Sequence, residues 1–570
     1  MNEMLLEPLK FYEHSGKATH EKNTSDYFDE LVAKSGIDVE ANRATVAAYR
    51  KQMEAVAAAE DKVSKYKTYK TLLIIGIIIG AIISIWSFWK FGDSAGSATA
   101  MLLGGAAAIV IFVLLLKNVV NPRIKDGSAH LEILRKKAEK IKAEAQAQMA
   151  PLNALFSSQD TFRLIEKTMP EFSFDNRFTK EHEAYFIRLN DFVDLSTNET
   201  TMVNTLAGRF AGNPFLYCQR LVHEMGLETY TGTLVITWTE TYYANGQRHT
   251  RTRSQTLCAT VTKPKPRYYY NTYLGYGCQA APELSYSREP QHWERCSERE
   301  LEKKIKSGEK QLHKMTEKAV KDGKFFQEMD NVEFEVLYGA QNRDHEVQFR
   351  VMFTPLGQRN TIALLKNKVG YGDDFRFTKS RRFNIIATEH AQNWDMSTSP
   401  THYHSFDVDE ARRKFCNFNN DYFKSVFFDF APIFSVPAYM DEPCAAMEPI
   451  ESFDCNQTCY EHEVMANAIG QEYFVSPESA TSAILKTRLV EKRGGEDVVS
   501  VSASSYATIP RVDIIPRLGG DGRIHGVPVH WIEYIPVSNS KIMSVKTEKQ
   551  GNDTTPSGTT FHGLVADIMQ

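Results

Sequence analysis

Hydrophobic and polar positions follow three rhythms along this chain. The first is an unbroken apolar run. Thr71 to Trp89, in "TLLIIGIIIGAIISIWSFWK", carries no ionisable side chain, and Ala98 to Leu116, "ATAMLLGGAAAIVIFVLLL", repeats the pattern after only Lys90 to Ser97. Each run is long enough as a helix to cross about 30 Å of hydrocarbon, and so short a connection requires the pair to return antiparallel. The first run begins after some seventy mostly polar residues, too late for a secretory signal. A two-helix transmembrane hairpin is therefore expected. Gly76 and Gly80 form a GxxxG in the first helix. Ala100, Gly104 and Ala108 form a row of small residues in the second, suited to close backbone approach.

The second rhythm alternates three and four. Val46, Tyr49, Met53, Val56, Glu60 and Val63 precede the hairpin, and Leu131, Leu134, Ala138, Ile141, Ala145, Gln148, Leu152 and Leu155 follow it. Each row is an a/d seam, so the flanking helices are expected to pair as a coiled-coil stalk. The competing arrangement has each helix covering a different face of the large domain, with Pro122 and Gly127 interrupting the second.

The third rhythm has period two. "TGTLVITWTETYYANGQRHTRTRSQTLCATV" predicts two strands about a turn at Asn245-Gly246. "SAILKTRLVEKRGGEDVVSVSAS" and "RVDIIPRLGGDGRIHGVPVHWIEYIPV" predict hairpins turning at Gly494-Gly495 and Asp521-Gly522. "NVEFEVLYGAQNRDHEVQFRVMFTP" is read the same way, from the alternation of Val332, Phe334 and Val336 with Val347, Phe349, Val351 and Phe353. Charged "SERELEKKIKSGEKQLHKMTEKAVKDG", with Leu301, Ile305, Leu312, Met315 and Val320 inward, and aromatic "DVDEARRKFCNFNNDYFKSVFFDF" read as helices between the strands. The fold class is α+β: a transmembrane hairpin, a helical juxtamembrane stalk, and a large domain of antiparallel hairpins and intervening helices. The expected divisions are 1–70, an N-terminal helical segment; 71–120, the membrane hairpin; 121–170, the stalk; 171–400 and 401–570, two α+β regions. The polar tail "TEKQGNDTTPSGTT" reads as a mobile loop.

Charge sets the orientation. Lys62, Lys65, Lys67 and Lys70 precede the first apolar run; Lys117, Arg123 and Lys125 follow the second. By the positive-inside rule both termini are cytoplasmic in a two-span protein of the cell membrane. No Asp, Glu, Lys, Arg or His lies inside either run, so the pair reads as an anchor and not as a transport path. A net charge of -4 gives no reason to expect nucleic acid, and eight scattered cysteines fit a reducing compartment.

Candidate chemistry is sparse. Cys444, Cys455, Cys459 and His462, in "CAAMEPIESFDCNQTCYEHE", offer three thiolates and an imidazole for a tetrahedral zinc site. The competing reading is a set of partly buried free thiols. His390, Asp395, His402 and His404 form a second candidate metal set, provided His402 and His404 stand on a strand with both rings on one face. "TVTKPKPRYYYNTYLGYG" reads as a basic, aromatic loop for a protein or an anionic surface. "RLGGDGRIHG" is a hairpin turn before it is a phosphate cradle, and there is no Walker A loop, dinucleotide GxGxxG or HExxH. The chain is thus expected to be a membrane-anchored, non-catalytic scaffold, adaptor or sensor. Its expected partners are the lipid bilayer and another protein or a second copy of itself. The alternative is a membrane-tethered metal-dependent hydrolase using one of the two His-containing clusters.

Overall fold

A computed structural model describes residues 6–89, 95–175, 177–188, 197–244, 246–323, 326–392, 394, 396–441, 457–547, 559–561 and 564–569. The fold is α+β, with two antiparallel sheets. The chain divides into two compact units. One comprises 24–157 and 399–419, the other 1–23, 158–398 and 420–570.

The first unit is helical. Val39–Trp89 is one helix of 51 residues, and Ala95–Leu115 and Asn121–Asn153 are joined through a π-helical turn at Leu116–Val120. Two of these helical stretches are long and apolar enough to cross a membrane, and only 6% of the most apolar window of each is buried. A core helix of a soluble protein hides such a window; these expose it, as Ile82 (60% exposed) and Leu103 (69%) illustrate. Gly76 and Gly80 face the second apolar helix, where a Cβ would meet the Phe112 ring at 2.7 Å and Ile109 at 3.0 Å. The expected row on the second helix is displaced by one position. Gly104 is open, and Gly105 makes the close approach, against Ser84 and the Gly80 carbonyl.

Beyond the apolar stretches, Val39–Trp89 and Asn121–Asn153 pack against each other antiparallel. Val46, Val56, Val63, Ala138, Ala145 and Leu152 are buried in the seam. Gln148 Nε2 donates to Thr45 Oγ1 at 3.0 Å, Gln52 Nε2 to the Leu134 carbonyl at 3.1 Å, and Arg135 pairs with Glu60 at 2.7 Å. Neither expected interruption occurs. Pro122 follows directly on the π-helical turn Leu116–Val120, which carries the helix past the bond that a proline, lacking N–H, cannot make. Gly127 stays helical and lets Val63 approach to within 2.9 Å of where a Cβ would stand. Segment 399–419 packs in the same unit, with Asn42 Nδ2 donating to the Phe406 carbonyl at 3.0 Å and Arg50 paired with Asp407 at 2.6 Å.

The second unit carries the sheets. The first contains β1 (Phe172–Asp175), β2 (Thr200–Phe210), β3 (Asn213–Ala244), β4 (Gln247–Gly277), β5 (Ser285–Arg288), β6 (Phe375–Ser380) and β7 (Phe383–Thr388), in the order β1-β2-β3-β4-β7-β6-β5. The second contains β8 (Ile484–Arg493), β9 (Glu496–Leu518), β10 (Ile524–Thr547), β11 (Thr559–Phe561) and β12 (Leu564–Met569), in the order β11-β12-β10-β9-β8. The turns follow their glycines. Gly494 and Gly495 both take positive φ (55° and 91°), as a two-residue turn between paired Arg493 and Glu496 requires. Gly246 (φ 76°) and Gly522 (φ 78°) do the same in the other two hairpins, and Asn245 lies outside the described residues.

The expected hairpin over 331–355 is instead two short helices, Val332–Tyr338 and Glu346–Met352. Phe334, Leu337 and Tyr338 also satisfy a helical spacing, as do Phe349, Met352 and Phe353, and these six are buried. Val347 and Val351, half of the apparent alternation, are about 70% exposed (67% and 72%). Asn331 and His345 cap the two helices by accepting from the backbone N–H groups of Phe334 and Gln348. Helix Glu298–Lys321 opens with a Ser297/Glu300 capping box and buries Leu312 and Ala319, while Val320, expected inward, is exposed. Residues 548–558, most of the stretch read as a mobile loop, lie outside the described residues.

Candidate interaction surface

The length of two hairpins sets this head apart. β3 pairs with β4 through thirty consecutive partners, from Phe215↔Tyr276 to Ala244↔Gln247, yet β2 reaches only to Val222 and β7 only to Leu274. The remaining ribbon, 223–244 with 247–268, is roughly 70 Å long at about 3.3 Å per residue. β9 and β10 behave alike. β8 pairs no further than Ser504 and β12 no further than Ile542, so 505–518 with 524–537 form a second two-stranded ribbon.

An isolated ribbon has little stability of its own, and these two solve the problem together. Ile236, Leu257, Ala259, Val527 and Val529 form a buried cluster between them, joined by Tyr230, Leu234, Trp238, Val261 and Ile515. Gly232 permits the contact: a Cβ there would stand 2.1 Å from the Pro528 carbonyl oxygen. At the seam's margin Lys263 pairs with Asp513 at 2.8 Å and lies 4.1 Å from the centroid of the Trp531 ring. The turn of the second ribbon meets Ile236, Trp238 and Gln255 through Gly519 and Gly520, so 239–252 projects past it. The result is a two-layer β arm.

Because side chains alternate faces, burial of one parity exposes the other. On the first ribbon the outward parity is Thr229, Thr231, Thr233, Val235, Thr237, Thr239 and Thr241, against Thr262, Thr260, Cys258, Thr256, Ser254, Thr252 and Thr250 on the neighbouring strand, all exposed. Thr229 and Thr262 join by a hydroxyl hydrogen bond of 3.0 Å. No charged side chain interrupts this hydroxyl-rich face. Most charges fall on the other parity, where Arg251 and Arg253 both meet Glu240, at 3.0 and 2.7 Å; Arg248, opposite Tyr243, is an outward exception at the tip. The open edges carry a separate device. Pro264, Pro266, Pro510, Pro516, Pro528 and Pro536 all stand in ribbon segments paired on one side only, and a proline, lacking N–H, fits there only where that N–H would point off the edge. Strand addition from another chain is thereby discouraged.

The expected basic loop, 260–277, is thus part of β4, and its cations are engaged. Besides Lys263, Lys265 pairs with Glu228 at 3.5 Å and Arg267 donates to the Leu227 carbonyl at 3.0 Å. A ribbon edge accommodates the prolines of "KPKP".

The candidate metal sets fare differently. His390 lies in the helical turn Glu389–Gln392, with Nδ1 2.6 Å from Asp374 Oδ2, Nε2 3.4 Å from Asp429 Oδ1, and its ring stacked on Tyr371 at 3.7 Å. Tyr217 and Thr388 donate their hydroxyls to Asp429, and burial pushes the Asp429 carboxyl well above its usual range. Each His390 nitrogen therefore faces a carboxylate oxygen. Asp395 lies outside the described residues. The expected strand at His402 and His404 is a 3-10 turn, Pro400–His402, and His402 stacks on Phe418 at 5.0 Å. Proline opening the turn makes that local geometry unavailable to a strand.

Of the zinc candidates, Cys444 and Cys455 lie outside the described residues. Thr458 and Glu461 form a capping box for helix Cys459–Ile469. This leaves Cys459 exposed at the first turn and turns His462 inward, where Nε2 lies 3.2 Å from both Gln457 Oε1 and Asp497 Oδ2. Burial lowers the His462 pKa to about 4, against the attraction of Asp497, so the imidazole is neutral. Among the described residues no group of three or more His, Cys, Asp or Glu side chains is placed to hold a metal ion.

No protein-family profile, curated protein or solved structure matches the chain.

Proposed function

We propose that this chain is a two-span, membrane-anchored, non-catalytic scaffold or adaptor that binds a protein partner through its β arm. The observation that carries the reading is the arm: a long two-layer ribbon whose outward-parity positions within 229–241, 250–262, 510–518 and 524–532 carry no acid, lysine or arginine, and whose edges are closed to strand addition by proline. Long uncharged surface on a ribbon mostly outside the two sheets contributes little to the head's own core, and surface of that kind marks contact with another molecule. The hydroxyl-rich face of the first ribbon is the partner's side. Threonine hydroxyls both donate and accept, so they adapt to a polar partner without the desolvation cost of charge. The apolar helices supply the anchor, the lysine distribution places both termini in the cytoplasm, and the arm is then displayed on the cytosolic side.

The test uses full-length protein in mild detergent. A reproducible partner is recovered, and Thr231→Arg with Thr260→Arg, which stand opposite each other on the outer face, weakens its retention about tenfold at unchanged melting temperature. Undiminished recovery by that variant, no partner at all, or turnover by the purified chain overturns the reading. Protease added to sealed right-side-out cells tests the topology: the carboxy-terminal portion survives only if it is cytosolic.

A further inference from the structure

The outer face of the second ribbon differs from that of the first. Leu518 stands opposite Ile524, Pro516 opposite Gly526, Ile514 opposite Pro528, Val512 opposite His530 and Pro510 opposite Ile532, all on one face. Ile524 is 74% exposed, Ile514 71%, Leu518 69%, Val512 50% and Ile532 39%, and the face carries no acid, lysine or arginine. We infer that this aliphatic face is a self-association surface, covered by the same face of a second copy of the chain.

Three observations select that occupant. Hydrocarbon is unsuitable, because a two-stranded ribbon carries unpaired backbone groups along both edges and cannot satisfy them in lipid. An added strand is unsuitable too, since Pro510, Pro516, Pro528 and Pro536 interrupt those edges. Face-to-face stacking remains, and the arm already shows it: the opposite face of this ribbon is covered by another ribbon through Val527, Val529 and Ile515. Two identical faces without charge meet around a two-fold axis with no like-charge repulsion. Nine residue rows at about 3.3 Å give a footprint roughly 30 Å long and two strands wide. Counting both copies, that is about 600 Å² before side-chain relief, at the small end where contacts are weak and transient. Confinement to one membrane raises the effective concentration and makes so small an interface sufficient.

The inference rests on the reading of the arm as a contact surface, yet it can fail separately, because it concerns the opposite face from the partner's. Full-length protein in mild detergent is expected to have the mass of a dimer. Ile514→Asp with Leu518→Asp weakens the dimer by about a hundredfold and leaves the melting temperature unchanged. Thr231→Arg with Thr260→Arg leaves it intact. A photo-crosslinking side chain placed at Ile524 joins two copies of this chain, and this readout is independent of whether the charged variant folds. A monomeric mass for the unsubstituted protein, a dimer that survives the two aspartates, or crosslinking at Ile524 only to lipid or to a different protein overturns the inference. If the Thr231/Thr260 variant loses its partner while the dimer fails to appear, the self-association is wrong and the function above stands.

Discussion

The two long apolar helices and the β arm both expose long apolar surfaces, and the comparison shows that backbone chemistry decides what can cover them. In Val39–Trp89 and Ala95–Leu115 every interior peptide group is bonded within its own helix, and the aliphatic side chains point in all directions. Lipid satisfies such a surface at no polar cost. In the arm the apolar side chains are confined to alternate positions, and both outer edges present unpaired N–H and C=O groups. Only protein or water can meet those groups. Equal exposure of isoleucine therefore implies different partners in the two regions.

Ile79 (51% exposed) and Val110 (57%) test the first half of that contrast. Changing both to Arg places two cations in the apolar stretches and costs roughly 2.5–3.5 kcal/mol each on insertion. Carbonate extraction should then release a large fraction of the chain. If the variant stays in the membrane pellet, the helices are covered by something other than hydrocarbon.

Acid separates the regions next. His462 has a folded-state pKa of about 4, below the ordinary 6.5, so the unfolded chain takes up its proton first. The stability from keeping it neutral is complete above about pH 6.5 and is lost as the pH falls towards 4, on the order of 3 kcal/mol. The head should melt earlier at pH 4.5 than at pH 7, and His462→Gln should reduce that difference. The apolar stretches 71–89 and 98–116 contain no ionisable side chain, so their membrane retention should not change over the same range.

Ile236→Ala removes packing between the two ribbons, at about 2 kcal/mol, because a seam so thin can partly collapse around the gap. Hydrogen exchange should accelerate across both ribbons and leave β2 and β7 protected. Smallest of all is Ile524→Lys on the outer face, expected to change the stability of the isolated chain by less than about 0.5 kcal/mol. Ile524 is more exposed than Ile79, yet a cation is tolerated where water reaches and costly where lipid does. A large destabilisation by Ile524→Lys would show that this face is already covered within the chain.

Much of the architecture was legible because it depends on local rules. Gly246, Gly494, Gly495 and Gly522 mark turns that need positive φ, and the runs on either side of them pair as read. Val39–Trp89 and Asn121–Asn153 pack together and bury Val46, Val56, Val63, Ala138, Ala145 and Leu152 of the expected rows, while Met53 stays exposed. Failures fall where local rules give two answers. Phe334, Leu337 and Tyr338 suit a helix as well as Val332, Phe334 and Val336 suit a strand, and only the buried partners around Phe334 and Phe353 choose. Likewise His390 was visible as a candidate, but its partners Asp374 and Asp429 lie 16 and 39 positions away along the chain, and no spacing connects them. The alternating threonines from Thr229 to Thr241 were in plain view as a strand signal. Nothing local distinguishes a face that meets solvent from one that meets another ribbon.

The sequence by itself determined where the chain is apolar enough for lipid, where it turns, and where alternation makes two-faced strands, because each depends on neighbours a few residues apart. The tertiary structure alone decided which parity of each ribbon is inside, that two hairpins stack into one arm, and that His390 is enclosed between carboxylates. Those outcomes depend on contacts such as Gly232 with Pro528, separated by nearly three hundred residues, and are settled by packing energies that no local pattern carries.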